Sequence, residues 1–128
     1  MRSTEMAVLT GRVRSLVVGV TATLLIAGCA AATTPEVTNG DPVLEQGREL
    51  YIRQCSSCHG SDGGGGRGTK LNDGAVLAAY PDIADQLVVV SEGRNAMPAF
   101  GGRFDDAELD AVVRYTREVL AESGGSDG

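Results

Sequence analysis

The sequence predicts an all-α domain. Three observations predict it. Leu109, Val112, Val113, Thr116 and Leu120 form a stripe at i, i+3, i+4, i+7 and i+11, the spacing of one helix face. Asp105 stands before this stripe with Glu108 three residues on, the pattern of a capping box. No stretch of the 128 residues alternates apolar and polar side chains at strand period, and no internal repeat is present.

The length suits one small domain. Aromatics make up 4% with no tryptophan, so the core falls to Val, Leu, Ile and Ala. The chain carries 11 basic and 17 acidic side chains, a formal charge of −6. An acidic chain with one lysine, Lys70, lacks the basic clusters that neutralise phosphates, which excludes a nucleic-acid partner.

Residues 1–28 read as an export signal. Arg2, Arg12 and Arg14 precede an apolar run, Leu16 to Ala27, too short for a comfortable membrane span of ~20 residues. The run ends in Leu25-Ile26-Ala27-Gly28-Cys29. This resembles the bacterial lipobox, in which the cysteine is acylated and becomes the new N-terminus. Cys29 is the expected lipid-attachment residue, and the outer face of the cell membrane the expected location. Cleavage removes three arginines and one glutamate, leaving 8 basic and 16 acidic side chains, a charge of −8 over 100 residues. Residues 29–41 read as a flexible tether. About a dozen such residues span ~20 Å r.m.s..

The first helix is expected from Asp41-Pro42, with Asp as N-cap and Pro at the first helical position. Val43, Gly47, Leu50 and Tyr51 share one face. Gly47 costs ~1 kcal/mol against alanine inside a helix; it is either a tolerated glycine or the site of a close helix crossing. Gly60 to Gly68 holds six glycines in nine residues and forms a loop. Helical stretches are expected over 73–80 and 81–92, the second with Ile83, Leu87 and Val90 on one face and Gly93 as its stop. Residues 123–128 read as a disordered tail.

Cys55-Ser56-Ser57-Cys58-His59 is a C-x-x-C-H sequence at the end of the first helix. Two thiols at this spacing can both add to the vinyl groups of one haem, and the adjacent histidine reaches the iron. A zinc site needs four N or S ligands, and with Cys29 acylated only three contiguous ones remain. A dithiol redox motif would want a βαβ setting.

On these residues the chain resembles class I cytochrome c over about Pro42 to Ala121. In that family a small residue and an aromatic stand eight and four positions before the first haem cysteine; Gly47 and Tyr51 stand there. The resemblance implies that Gly47 lets the first and last helices cross closely, with Tyr115 near Tyr51. It aligns Gly68-Thr69-Lys70-Leu71 with a Gly-Pro-x-Leu-like segment whose second residue accepts the histidine's other N–H through its carbonyl. Thr69 replaces the proline and keeps the carbonyl. Ala96-Met97-Pro98-Ala99-Phe100 resembles the axial methionine segment.

Elimination supports the same ligand. The mature chain has no second histidine and one methionine, Met97, 38 residues after His59; Lys70 lies only 11 residues past it. His59 and Met97 are therefore the expected axial ligands of one haem c per chain, held by Cys55 and Cys58. Arg67, Arg94 and Tyr80 are candidates for the haem propionates, set against plain solvation. The implied domain, residues 42–122, is a cytochrome c fold of crossing terminal helices, short helices and long loops.

His/Met ligation closes both axial positions, raises the reduction potential and implies an electron carrier with no small-molecule substrate. The expected role is a membrane-anchored shuttle between a quinol-oxidising complex or exported dehydrogenase and a terminal oxidase. Its acidic surface implies redox partners with a positively charged docking face. Two alternatives stand beside it: a fixed haem subunit of a larger complex, and a ligand-binding or peroxidatic haem protein with an open iron site.

Overall fold

The computed structural model describes residues 32–124. The signal expected over 1–28, Cys29 and the last four residues lie outside the described residues.

Helix α1 (Pro42–Leu50) starts where its cap places it: the Asp41 carboxylate accepts the Val43 N–H at 2.8 Å, and Pro42 occupies the first turn. Leu44, Gly47 and Leu50 form its buried face. Leu44, 2% exposed, takes the place expected of Val43, which is only partly buried. The helix continues through a π-helical turn, Tyr51–Cys55, into α2 (Ser56–His59). The two helical turns were legible as one helix; the extra residue in the ladder was not. π-turns of this kind are frequent at functional sites, and this one delivers Cys55.

The glycine-rich loop follows, then α3 (Ala75–Ala79) and α4 (Ile83–Glu92). Helix α4 begins two residues later than expected because Asp82 caps it, accepting the Ala84 N–H at 2.9 Å. It ends at Gly93, as expected. Ile83, Leu87 and Val90 are partly buried against the core, and the deepest residue of α4 is Gln86. Gln86 is tolerated there because it donates to Thr116 Oγ1 at 2.9 Å and accepts from Arg117 at 3.0 Å.

Helix α5 (Asp106–Tyr115) opens with the full capping box, Asp105 and Glu108 each accepting the other's backbone N–H. It runs through a second π-turn, Thr116–Leu120, into α6 (Ala121–Ser123). The fold reaches Gly124, where a Cβ would collide with the Asn72 carbonyl. Ser123 and Gly124 thus belong to the domain rather than to the expected tail. Among the described residues there is no strand, only an isolated bridge between Arg94 and Met97.

Helices α1 and α5 cross at Gly47. A Cβ there would stand 2.0 Å from the Ala111 carbonyl oxygen, so the crossing excludes any side chain. The Tyr51 and Tyr115 rings meet beside it with centroids 5.7 Å apart, a pairing that contributes ~0.5–1.5 kcal/mol beyond burial. Leu50, Val112, Val113, Leu120 and the stacked pair Phe100–Phe104 complete the core.

Residues 32–40, expected as flexible tether, run along the domain. The Pro35 carbonyl accepts Tyr115 Oη–H at 2.7 Å and Arg48 Nε–H at 3.0 Å. Val37 packs on the core.

Candidate functional site

The π-turn sets Cys55, and α2, a single turn, sets Cys58 and His59 beside it beyond the end of α1. Both thiols are free. Burial, and then the neighbouring Cys58, push the Cys55 thiol up to about 11. That favours an uncharged sulfur in an apolar wall.

The loop after α2 is shaped around His59. Its Nδ1 lies 2.8 Å from the Thr69 carbonyl oxygen. A carbonyl only accepts, so Nδ1 carries the proton and Nε2 keeps the lone pair a metal needs. The expected role of Thr69 is met by its backbone, and the absent proline costs nothing at this atom. Gly68 makes the approach possible: a Cβ there would lie 2.7 Å from His59 Cε1 and 2.8 Å from Nδ1. Two backbone bonds, Gly65 N–H to the His59 carbonyl at 2.8 Å and Gly68 N–H to the Cys58 carbonyl at 2.8 Å, fasten the loop to α2.

Met97 arrives from the other half of the chain. After α4 the backbone turns between Arg94 and Met97, which exchange both N–H bonds, at 3.1 and 2.9 Å. Asn95 holds the turn with φ +55°, a left-handed conformation that asparagine tolerates better than most residues. Phe100 N–H then bonds the Val90 carbonyl at 3.1 Å and pins the segment to α4.

These pieces enclose one cavity of ≈ 550 Å³. Cys55, Cys58, His59 and Met97 all line it, with Val89 and Phe100 as apolar wall. The four residues singled out by sequence therefore come together. Arg67, Arg94 and Tyr80 line it too, with both arginines exposed to solvent. Arg94 Nη1 donates to Tyr80 Oη at 2.8 Å, and Arg67 Nη2 approaches Cys58 Sγ at 3.6 Å. The lining contains two arginines and no carboxylate.

The cavity fits a haem. Its volume lies in the range of cofactor sites, ~300–1,000 Å³. Its donor set pairs one imidazole with one thioether, which suits haem iron. Two free thiols line it, as covalent attachment requires, and the arginines would complement carboxylate groups.

Comparison with known proteins agrees. Residues 42–115 match the family described as cytochrome C oxidase, cbb3-type, subunit III. The chain is 36% identical over 80 residues to a cytochrome c6 of Leptolyngbya boryana, covering 61% of this chain and 93% of that one. It is 32% identical to the cytochrome bc1 complex cytochrome c subunit of Mycobacterium bovis, covering 80% of this chain and 39% of the relative. The solved structure of cytochrome c6 from the diatom Phaeodactylum tricornutum superposes with a TM-score of 0.55 at 31% identity, over 63% of this chain and 97% of that one. The chain belongs to this cytochrome c family: it is a class I monohaem c-type cytochrome. It is an electron-transfer protein and its cofactor is covalently attached haem c.

Proposed function

We propose that Cys55 and Cys58 would hold the haem through thioethers and that His59 and Met97 would ligate its iron. One observation carries this reading: these four side chains, from opposite halves of the chain, line a single cavity. When bound, the group supplies a one-electron iron couple. The protein's own part is to bury and tune it. Thr69 keeps His59 in the tautomer that ligates, and the Arg94–Met97 turn presents the thioether. With His59 and Met97 both ligating, the iron would have no open site for substrate and would supply outer-sphere electron transfer. Arg67 and the Arg94–Tyr80 pair face the propionates. Absorption spectra of the oxidised and reduced protein test the ligation. A reduced form that binds carbon monoxide readily would replace this reading with a peroxidatic or ligand-binding haem protein.

The domain is a carrier held by acylated Cys29 on the outer face of the cell membrane, between a quinol-oxidising complex or exported dehydrogenase and a terminal oxidase. The sequence Leu25-Ile26-Ala27-Gly28-Cys29 supports the anchor; among the described residues no helix is long and apolar enough to cross a membrane. Mass spectrometry of the mature protein should show a diacylglyceryl-cysteine N-terminus. An unmodified Ala30, or an intact signal, overturns the anchor. A second reading, a fixed haem subunit, draws support from the likeness to a bc1 complex cytochrome c subunit. Co-purification of a stoichiometric complex in mild detergent decides for it; a monomer decides for the shuttle.

A further inference from the structure

A free tether of a dozen residues would let the domain wander ~20 Å from its anchor. The segment before α1 is not free. Ala32 accepts Ser61 Oγ–H through its carbonyl at 2.7 Å. The Thr34 carbonyl accepts Arg48 Nη2–H at 3.3 Å, and the Glu36 carboxylate pairs with the same guanidinium. The Pro35 carbonyl takes two donors, Arg48 Nε and Tyr115 Oη. These donors are themselves fixed, since Tyr115 is 0% exposed at the helix crossing and the Arg48 side chain only 20%. The strap is thus latched to the rigid part of the domain from Ala32 onward.

Cys29 is three peptide links from Ala32. Whatever their conformation, three links reach at most ~11 Å. Ser61, which holds Ala32, is two residues from His59, and its neighbour Gly60 accepts Tyr51 Oη–H at 2.6 Å. The glycine-rich loop that begins there supplies Arg67, Gly68 and Thr69 to the cavity wall.

We propose that residues 32–37 act as a rigid strap, so that lipidated Cys29 holds the Ser61 face of the domain, with its glycine-rich loop, against the bilayer surface in one orientation. This rests on the reading that Cys29 carries the lipid. The occupant of the face is the lipid headgroup layer, because the strap's first bonded residue, Ala32 on Ser61, cannot be farther than ~11 Å from the lipidated cysteine. The start of α5 lies well away from this face. A Cβ on Gly63 would lie 3.3 Å from Leu120 Cδ2, and Asp106 is 14 residues back along that helix, about 21 Å at 1.5 Å per residue.

The haem itself reports orientation. Haem-loaded, acylated protein on flow-aligned vesicles should show linear dichroism of its haem absorption. A ten-residue Gly/Ser spacer inserted between Ala31 and Ala32 leaves every strap bond in place and adds ~18 Å of r.m.s. slack. It should reduce the dichroism several-fold with the spectrum unchanged. Hydrogen exchange identifies the face. Compared with a soluble Cys29→Ser chain, vesicle-bound protein should exchange several-fold more slowly over residues 60–70 and equally over 101–108. Vesicle-bound protein without dichroism, or with a spacer variant that keeps it, overturns the fixed orientation. Protection over 101–108 instead overturns the choice of face. Mature protein that does not bind vesicles at all overturns the anchor reading.

Discussion

Gly47 packs against the carbonyl oxygen of Ala111 so closely that a Cβ would stand 2.0 Å away, and 2.8 Å from Tyr115 Cβ. Both partners belong to α5, one of them backbone, so neither can swing aside. In Gly47→Ala the gain in helix propensity, ~1 kcal/mol, is set against overpacking of ~1–3 kcal/mol or more. The clash is severe enough to put the cost at the upper end, and we expect a net loss of about 2 kcal/mol. Urea unfolding of the haem protein measures it. A midpoint equal to or above wild type would show that α1 and α5 separate at little cost.

Tyr115 joins that crossing to the strap. Burial is the main cause that pushes its phenol up to about 12 from its ordinary value of 10.0. The protonated phenol is the form that donates to Pro35. A group raised on folding contributes stability that is fully present below pH 10 and is lost as pH rises through 12. Unfolding free energy should therefore fall between pH 10 and pH 12. Tyr115→Phe should be less stable at pH 8 and show a shallower decline across that window. Parallel pH dependence in the two proteins would mean that Tyr115 does not titrate with unfolding.

On the proposed ligation, Gly68→Ala acts on the iron through His59. A Cβ there would lie 2.8 Å from His59 Nδ1, so the imidazole must turn away from Thr69. Loss of that hydrogen bond lowers the basicity of the ligating nitrogen; second-shell changes of this kind weaken ligation ~10–100-fold. A weaker donor stabilises Fe(III) less, so the potential should rise, and exogenous ligands should displace His59 more readily. Redox titration and imidazole binding check both. Unchanged potential and unchanged exchange would show that the loop yields instead of the ring.

The site was more legible than the scaffold around it. Cys55, Cys58 and His59 fall within five residues, and Met97 is the one methionine after the expected export signal; chemistry and counting single them out without coordinates. Gly47, Tyr51 and Tyr115 were legible through the resemblance to class I cytochrome c; helical period placed Gly47 and Tyr51 on one face but left the crossing at Gly47 open and did not pick out Tyr115. The strap was not. Its bonds run mostly from backbone carbonyls to Arg48 and Tyr115, and a carbonyl has no sequence signature. The Arg94–Tyr80 pair spans 14 positions with α4 between them, so only the fold could bring it to the cavity. Gln86 was hidden for a related reason, since its partners Thr116 and Arg117 lie 30 and 31 residues away. The π-turns add one residue to a helical ladder without altering composition, and periodicity over five residues does not resolve that.

Met97→His tests the thioether. The turn between Arg94 and Met97 is closed by backbone bonds, so an imidazole at position 97 should not disturb it. We expect a folded protein with covalent haem and a lower potential, because imidazole favours Fe(II) less than thioether sulfur does. The long-wavelength absorption of sulfur-ligated Fe(III) should vanish with it. An oxidised spectrum identical to wild type would mean that Met97 never bound the iron.

The formal charge, −6 for the full chain and −8 over residues 29–128 if it is cleaved as proposed, bears on its partner. The carboxylates are not spread evenly: the haem cavity is lined by Arg67 and Arg94 and by no acidic residue. On the proposed haem site these two arginines would balance the propionates, which would leave the acidic side chains elsewhere to dominate the long-range field. A negative carrier of this kind is steered toward a positively charged docking face, and steering acts mainly on the association rate. At low salt a cationic redox reagent should therefore oxidise or reduce the protein faster than an anionic one of equal driving force. Shortening the Debye length to ~3 Å at 1 M salt should bring the two rates together, and the reaction with the physiological partner should slow over the same range. If the anionic reagent is as fast at low salt, the arginines at the cavity govern approach instead, and the partner's docking face need not be positive.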